Sequence, residues 1–235
     1  MYNYRYMPRY GDFKDFDTIK PGSILDMVQD VSIRASTECG YDINTMKNMN
    51  IAWLMQGINV RFDRKINPYD MIEISTGVRK MKGAVSERCC IISQNGENVG
   101  KTVACWFIFD INRQRPGRIP KEMFSAYTEE SFDDKFFIYK KAECDDSAIH
   151  SYSIKVSNKE IDTNMHLNNQ KGAELLMDAL PFDFNFNEFN VFYRQPAFLG
   201  DELDVCVKQT ENGYYVHLAE KEKGICVAGI FSRNS

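Results

Sequence analysis

The chain repeats one pattern of predicted structure, and this repeat constrains the fold more than any other feature of the sequence. Each half has a short alternating strand, then one long apolar helix, then several alternating strands. Ile58-Asn59-Val60 and Phe189-Asn190-Val191 open the strands that follow the two helices. The same spacing pairs Asp70 with Asp201, Ile72 with Leu203 and Ile74 with Val205. Internal duplication explains this most simply. We therefore expect a duplicated α+β fold, in which each half wraps an antiparallel sheet around one long helix.

Apolar stripes at helical spacing locate the two helices. The first helix is expected to begin at Ser23, a suitable N-cap after Pro21-Gly22, and to end at Gly40. The second is expected to run from 169 to 180, because Pro181 cannot continue it. The first helix should be well buried, since its stripe carries few charges.

The remaining segments define the domain organisation. Residues 41–50 are polar and are expected to be irregular, whereas the run 103–109 is apolar on both faces and predicts a central strand. Residues 113–147 combine proline, glycine, mixed charge and aromatic side chains, which predicts a linker laid across the body of the protein. We therefore assign 1–112 to an N-terminal half and 148–235 to a C-terminal half.

A polar set precedes the second helix and has no full counterpart before the first. Asp162, Asn164 and His166 stand at alternate positions, which would place them on one side of an extended segment. Asn168 or Asn169 can cap the helix, whose free N–H groups would then face the same space. Of these residues, only Asp162 has a counterpart in the first half, Asp17. One half is therefore expected to carry out the chemistry, while the other binds the substrate or shapes its binding site.

Structural roles also account for these residues. Asp17 and Asp162 can both hold the chain as it enters a helix, and His166 can be a cap or a satisfied structural group. His150, in the predicted linker, and His217, in a predicted strand, are assigned to solvent or structure.

Composition excludes several classes of function. The net charge of −4 argues against nucleic acid as the main partner, and no apolar run is long enough to cross a membrane. The start of the chain lacks the basic and apolar stretches of a signal peptide. Seven cysteines without a CxxC motif fit reduced thiols in a cytoplasmic protein. No histidine has metal-ligand spacing to another ligand, so we expect neither a metal nor a cofactor.

The run from Asp162 to Asn169 resembles the D-x-N-x-H-x-N-N signature of acyl-ACP thioesterases. The resemblance covers nearly the whole chain and implies a tandem hot-dog fold. It also implies that Asp162, Asn164 and His166 are the catalytic carboxylate, amide and imidazole. Further segments occur in the order that this family has: Ser23 to Asp30, Trp53, Asn67 to Asp70, Trp106 to Asp110 and Tyr193-Arg194.

The chain departs from the family pattern after Tyr193-Arg194. The family usually has an acidic residue and then often a cysteine, whereas Pro196 and Ala197 occupy those positions here. A cysteine nucleophile is therefore not supported. The second carboxylate is also missing, unless Gln195 fills part of its role by orienting water or substrate.

The resemblance implies hydrolysis of fatty acyl-ACP thioesters to free fatty acid and holo-ACP, the step that terminates fatty acid synthesis. Asp162 or His166 would activate water, and Asn164 would orient the substrate or the water. The start of the second helix would stabilise the oxyanion. An apolar tunnel in the first half would hold the acyl chain, although plain core packing explains its stripe equally well. The expected substrate-binding residues are Asn168, Asn169, Gln195, Met27, Val28, Val31 and Trp53.

The expected partner is acyl carrier protein, and the protein is expected to be a monomer or a homodimer. Because acyl carrier protein is acidic, its docking face should be basic. The alternatives are a broad acyl-CoA thioesterase and a non-catalytic acyl-binding module. Three basic clusters are candidates for docking: Arg61 with Arg64 and Lys65, Arg79 with Lys80 and Lys82, and Arg113 with Arg115 and Arg118.

Overall fold

A computed structural model describes residues 1–14, 18–162 and 165–233. The chain divides into two compact units, Met1–Tyr139 (unit 1) and Lys140–Ser235 (unit 2). The boundary falls inside the segment predicted to be a linker. In the part of the chain that the structure describes, no helix is long and apolar enough to cross a membrane.

Unit 1 wraps an antiparallel sheet around one long helix. Its sheet has the strand order β1-β3-β4-β5-β2, with β6 paired to β5. The inner side of α1 is fully buried and packs on β1 and β3. The elements of unit 1 are β1 (Tyr2–Tyr6), α1 (Pro21–Glu38), α2 (Ile43–Asn48), β2 (Ile51–Phe62), β3 (Ile72–Lys82), β4 (Val85–Gln94), β5 (Glu97–Asp110), β6 (Arg115–Pro116) and α3 (Lys121–Ala126).

Unit 2 has the same plan in fewer residues. Its strand order is β7-β9-β10-β11-β8, and its helix α4 packs on β10 and β11. Gly172 allows this close approach, because a Cβ there would lie 3.2 Å from Val227 Cγ2. The elements of unit 2 are β7 (Ile149–Lys155), α4 (Asn169–Asp178), β8 (Glu188–Tyr193), β9 (Glu202–Thr210), β10 (Gly213–Glu220) and β11 (Gly224–Ser232).

The two strand orders coincide when β7 is matched with β1 and β8 with β2, which confirms the predicted duplication. The match extends to single residues. Ile72 pairs with Tyr6, and its predicted counterpart Leu203 pairs with Ile154, the matching residue of the first strand of unit 2. Ile72 and Leu203 are both fully buried.

The predicted N-cap of the first helix, Ser23, was wrong by three residues. α1 begins at Pro21, with Lys20 as its N-cap. Proline suits the first helical position because its φ is already helical and its missing N–H would have had no partner there. Ser23 lies inside the helix and is buried, so it does not act as the cap. The predicted stop at Gly40 agrees with the structure, since α1 ends at Glu38 and Gly40 has a φ of +84°.

The stretch 41–50 was predicted to be irregular, but it contains the short helix α2. The Asp42 side chain caps this helix by accepting a hydrogen bond from the Thr45 N–H at 2.7 Å. The central position predicted for the run 103–109 is confirmed within unit 1, because β5 lies between β4 and β2.

Much of the predicted linker packs on unit 1. Met123 and Tyr127 belong to a buried cluster beneath β3 and β5, and Phe137 packs against Cys89 and Val103. The aromatic side chains of this segment therefore cover apolar surface, as their number indicated.

Candidate active site

The polar run before α4 folds into a tight turn. The Met165 N–H donates to the Asp162 carbonyl at 3.0 Å, and the Asp162 N–H donates to the His166 carbonyl at 2.9 Å. The Asp162 carboxylate in turn accepts a hydrogen bond from the backbone N–H of His166 at 3.2 Å. Just outside the turn, Ile161 and Leu167 form an antiparallel bridge. This network fixes the position of Asp162 relative to the backbone that carries the imidazole.

The prediction of an extended segment with alternating sides was therefore wrong. Met165 has a φ of +63°, in the left-handed region, and the Asp162 N–H bonds to the His166 carbonyl, so sequence parity does not decide the side. A methionine in this region costs roughly 1–3 kcal/mol, and such strain concentrates at functional sites. Asn164, the third predicted catalytic residue, lies outside the described residues, as does Asp17.

The loop after β8 packs against this turn. His166 and Phe198 form an antiparallel bridge, and their rings meet edge to face at a centroid distance of 5.0 Å. The Leu167 N–H donates to the Ala197 carbonyl at 2.8 Å. Ala197, where the family often has a cysteine, thus lies beside the imidazole-bearing segment. Gln195 is exposed in the same loop, and no described contact joins it to Asp162 or His166.

A buried carboxylate supports the turn from behind. The Asn168 N–H donates to the Glu160 carbonyl at 2.8 Å. The Glu160 carboxylate accepts from the Ser157 N–H at 2.7 Å and the Ser157 hydroxyl at 2.6 Å. Burial by itself raises the pKa of Glu160, but the Ser157 hydrogen bonds and the Lys159 ammonium outweigh it and hold that pKa below its ordinary value. Glu160 therefore anchors the segment as an ionised structural group.

Asn168 is the N-cap of α4. Its Oδ1 accepts hydrogen bonds from the Gln170 N–H at 2.8 Å and the Lys171 N–H at 3.3 Å. The Gly172 N–H bonds to the Asn168 carbonyl, so these donors of the first turn are occupied within the helix. The expectation that several free N–H groups face the site was wrong. Among the described contacts, the Asn169 N–H is the first-turn donor that remains for a ligand.

Replacing Asn168 by alanine is expected to lower the free energy of unfolding by about 1 kcal/mol, because two N–H groups lose their acceptor. Urea unfolding followed by circular dichroism measures this change. Asn168→Asp is the matched control, since a carboxylate also caps and should preserve stability. Equal stability of Asn168→Ala and the parent protein would contradict the cap.

Tyr193 ties β8 to the start of α4. Its hydroxyl donates to the Asn169 carbonyl at 2.8 Å. This contact holds the peptide that follows the cap, and with it the orientation of the helix start. The role of Tyr193 was not anticipated from the sequence, although the Tyr193-Arg194 pair was noticed as part of the family pattern. A tyrosine at the end of a strand gives no local signal for a contact 24 residues away.

The predicted acyl-chain residues lie in the interior of unit 1. Met27, Val28 and Val31 on α1 are almost fully buried, and Met27 also accepts a hydrogen bond from the Tyr6 hydroxyl through its carbonyl. Trp53 on β2 is partly buried, with its ring edge to face against Tyr127 at 6.4 Å. Core packing accounts for these positions, and their role in binding stays a prediction.

The other histidines and the thiols have structural surroundings. His150 lies in β7 and not in the linker. Its Nε2 lies 3.2 Å from the Ser153 hydroxyl of the same strand. Burial lowers the pKa of His217, which favours the neutral ring. Burial also raises the pKa of most of the cysteine thiols, and it raises the pKa of Cys105 to about 11. The cysteines with raised pKa are Cys89, Cys90, Cys105, Cys206 and Cys226. Within the described residues, no cluster of histidine, cysteine and acidic side chains is arranged to hold a metal ion.

Two family models together account for most of the sequence. The model of the acyl-ACP thioesterase N-terminal domain matches residues 1–127, and that of the acyl-ACP thioesterase C-terminal domain matches residues 141–229. The chain belongs to the acyl-ACP thioesterase family. This acyl-ACP thioesterase is therefore a thioester hydrolase with two hot-dog units in tandem, which confirms the predicted family, fold class and enzyme class.

Solved structures agree with this fold. An acyl-ACP thioesterase from Bacteroides thetaiotaomicron superposes with a TM-score of 0.89 at 16% identity, covering 98% of this chain and 96% of that one. The 12:0-ACP thioesterase from Umbellularia californica gives a TM-score of 0.86 at 13% identity, with 98% and 95% covered. A putative oleoyl thioesterase from Lactobacillus plantarum gives 0.85 at 15% identity, with 100% and 97% covered. No curated protein matches the sequence.

Proposed function

We propose that this acyl-ACP thioesterase hydrolyses fatty acyl-ACP to free fatty acid and holo-ACP, and so terminates fatty acid synthesis. The observation that carries the proposal is the turn of unit 2, which ties the Asp162 carboxylate to the backbone of His166 directly before α4. The matching start of α1 has Lys20 as N-cap and Pro21 in place of the histidine. The second unit therefore carries the chemistry.

Water is the proposed nucleophile, and Asp162 or His166 removes its proton. An imidazole accepts and donates protons near neutral pH, so His166 can then protonate the leaving thiolate. The tetrahedral oxyanion is stabilised by the Asn169 N–H and the positive end of the α4 dipole. Asn164 orients the substrate or the water, as the family motif implies, and Asn168 holds the helix start in place.

A thiol is not the proposed nucleophile. Ala197 occupies the position where the family often has a cysteine, and it lies against the segment that carries His166. The buried thiols have a raised pKa, which disfavours the thiolate that attack on a thioester requires. Met27, Val28, Val31, Trp53 and Gln195 stay proposed substrate contacts.

One of the three basic clusters is the best candidate for docking the acidic carrier. Arg64 pairs with Glu97 and Arg79 pairs with Glu87, whereas Lys80 and Lys82 are exposed. The two lysines line a surface cavity of about 240 Å³ together with Val85 and Glu87. Within the described residues, neither lysine has an ion-pair partner. The Ile119 N–H donates to the Gly83 carbonyl, which holds the exposed Arg118 near this hairpin. These uncompensated cations favour the face around Lys80 and Lys82.

The test is thiol release from acyl-ACP and from acyl-CoA by the purified protein. Acyl-ACP is expected to have the higher kcat/KM. The double variant Lys80→Glu with Lys82→Glu should raise the KM for acyl-ACP about fivefold, equivalent to about 1 kcal/mol, without changing the KM for acyl-CoA. Arg64→Glu with Lys65→Glu is the control of equal charge. Equal turnover of both carriers would indicate a broad acyl-CoA thioesterase, and no thiol from either would indicate a non-catalytic acyl-binding module.

A further inference from the structure

Unit 1 buries an arginine that the proposed chemistry does not use. Arg88 lies in the middle of β4 with only 8% of its surface exposed. It pairs with Val78 on β3 and Ala104 on β5, both buried. Arg88 therefore lies in the interior of the sheet and not at its edge. Arginine is almost never buried to this extent unless its charge is paired.

The described surroundings of Arg88 contain no negative charge that compensates it. Its Nη1 lies 3.4 Å from the Thr76 hydroxyl, a long hydrogen bond, and its guanidinium lies 5.9 Å from the centre of the Tyr127 ring. By contrast, Arg79 on the neighbouring strand has the Glu87 carboxylate at 2.7 Å. Among the described residues, no carboxylate makes such a contact with Arg88. An ionised group buried without a counter-charge costs several kcal/mol.

Burial acts on the guanidinium in the expected direction, because it lowers the pKa of Arg88. The groups that oppose this effect are thiols and a phenol, which are neutral near pH 7. The fold therefore holds a desolvated cation, and the described residues offer its five donors one long hydrogen bond, to Thr76.

The side chains beside this cation are apolar apart from a pair of hydroxyl groups. The Tyr127 hydroxyl makes a short hydrogen bond to the Ser36 hydroxyl on α1. The Tyr127 ring belongs to a cluster that contains three methionines, whose unbranched side chains adapt to a changed volume more readily than leucine or isoleucine. The buried members of this cluster are Met46, Val78, Met81, Ile108, Ile119, Met123 and Tyr127.

We propose that Arg88 is the anchor of a binding site in unit 1 for a carboxylate carried on an aliphatic chain. The guanidinium would hold the carboxylate through two parallel hydrogen bonds, the geometry that arginine favours. The methionine-containing cluster would receive the chain. The site lies wholly within unit 1 and is independent of the turn at Asp162.

Calorimetric titration of the intact protein with decanoate and with decan-1-ol tests this proposal without any turnover. Decanoate is expected to bind at least tenfold more tightly than the alcohol, since only the acid can pair with Arg88. Arg88→Met should bind both compounds equally, and Arg88→Lys should keep part of the preference because it keeps the charge and loses the fork. Arg115→Met, at an exposed arginine of the same unit, is the control and should behave as the parent protein. Equal affinity for acid and alcohol in the parent protein, or an acid preference that survives in Arg88→Met, would overturn the proposal.

Thermal unfolding separates a binding defect from a folding defect. Arg88→Met should unfold at the same or a higher temperature than the parent protein, because it removes a buried charge without a partner. Decanoate should raise the unfolding temperature of the parent protein and leave that of Arg88→Met unchanged. A decanoate-induced shift of equal size in both proteins would count against the site. If Arg88→Met does not fold, the affinities of the parent protein and of Arg88→Lys for decanoate and decan-1-ol still decide whether Arg88 binds the carboxylate.

The carboxylate can belong to a released fatty acid, the product of the proposed hydrolysis. Inhibition of thiol release by decanoate in the parent protein, and not in Arg88→Met, assigns the site to the product, and this arm alone rests on the proposed hydrolysis. Inhibition of equal size in both proteins would count against this assignment.

Discussion

Replacing His166 by alanine is expected to lower kcat/KM for acyl-ACP by about a thousandfold, equivalent to roughly 4 kcal/mol of transition-state stabilisation. The imidazole is the group of the turn that can both activate water and protonate the leaving thiolate. Steady-state thiol release at saturating and limiting acyl-ACP measures the change in kcat and KM separately. The fall should appear in kcat, because the interaction is made in the transition state and not in substrate binding.

Stability must be measured beside activity, since the His166 ring packs edge to face on Phe198. Such a contact contributes only about 0.5–1.5 kcal/mol, so the variant should remain folded. Phe198→Leu removes the same contact and keeps the imidazole, and it should lose little activity. His150→Ala is the matched histidine control in unit 2, because that exposed ring bonds to Ser153 away from the turn. A His166→Ala protein that releases thiol at the parental rate would remove this residue from the mechanism.

The architecture was predictable from the sequence because the apolar stripes of the helices and the alternation of the strands are both periodic patterns. Alternation of apolar residues fixed which residues of the strands are buried, and the matched spacing of Ile72 and Leu203 survives as matched positions in the two sheets. The helix start at Pro21 was missed because serine is a common N-cap, whereas Ser23 lies inside the helix and is buried. The six residues of α2 were missed because so short a helix shows little periodicity, although Asp42 carries its cap.

The helix cap Asn168 was predictable from the sequence, whereas the geometry of the candidate site was not. The motif proposes Asp162 and His166 as catalytic residues, but it was interpreted as extended chain. The reversal depends on the positive φ of Met165, for which methionine gives no signal, and on tertiary bonds to Ala197 and Glu160. The bond to Ala197 joins segments that are distant in sequence, so local pattern does not encode it. Arg88 was missed for the same reason, because alternation along β4 only becomes burial once the sheet has formed.

Asp162→Asn and Asp162→Ala are expected to lower kcat/KM for acyl-ACP by at least a hundredfold each, and the comparison between them is what defines the role of the carboxylate. Asp162 has two separable functions in the turn. Its charge can act on water or on the imidazole, and its Oδ1 accepts the backbone N–H of His166 at 3.2 Å. Asparagine keeps an acceptor at this position and removes the charge, whereas alanine removes both.

If the carboxylate acts chemically, both variants lose activity, and Asp162→Asn retains the stability and spectrum of the parent protein. If Asp162 only holds the turn, Asp162→Asn keeps nearly full activity while Asp162→Ala loses it together with about 1–3 kcal/mol of stability. The pH dependence of kcat/KM then assigns the base. If the base is a carboxylate, kcat/KM falls at low pH as that carboxylate becomes protonated. This fall should disappear in Asp162→Asn and persist in His166→Ala. An imidazole base gives the opposite pair of profiles, and in that case the carboxylate orients His166 through the turn.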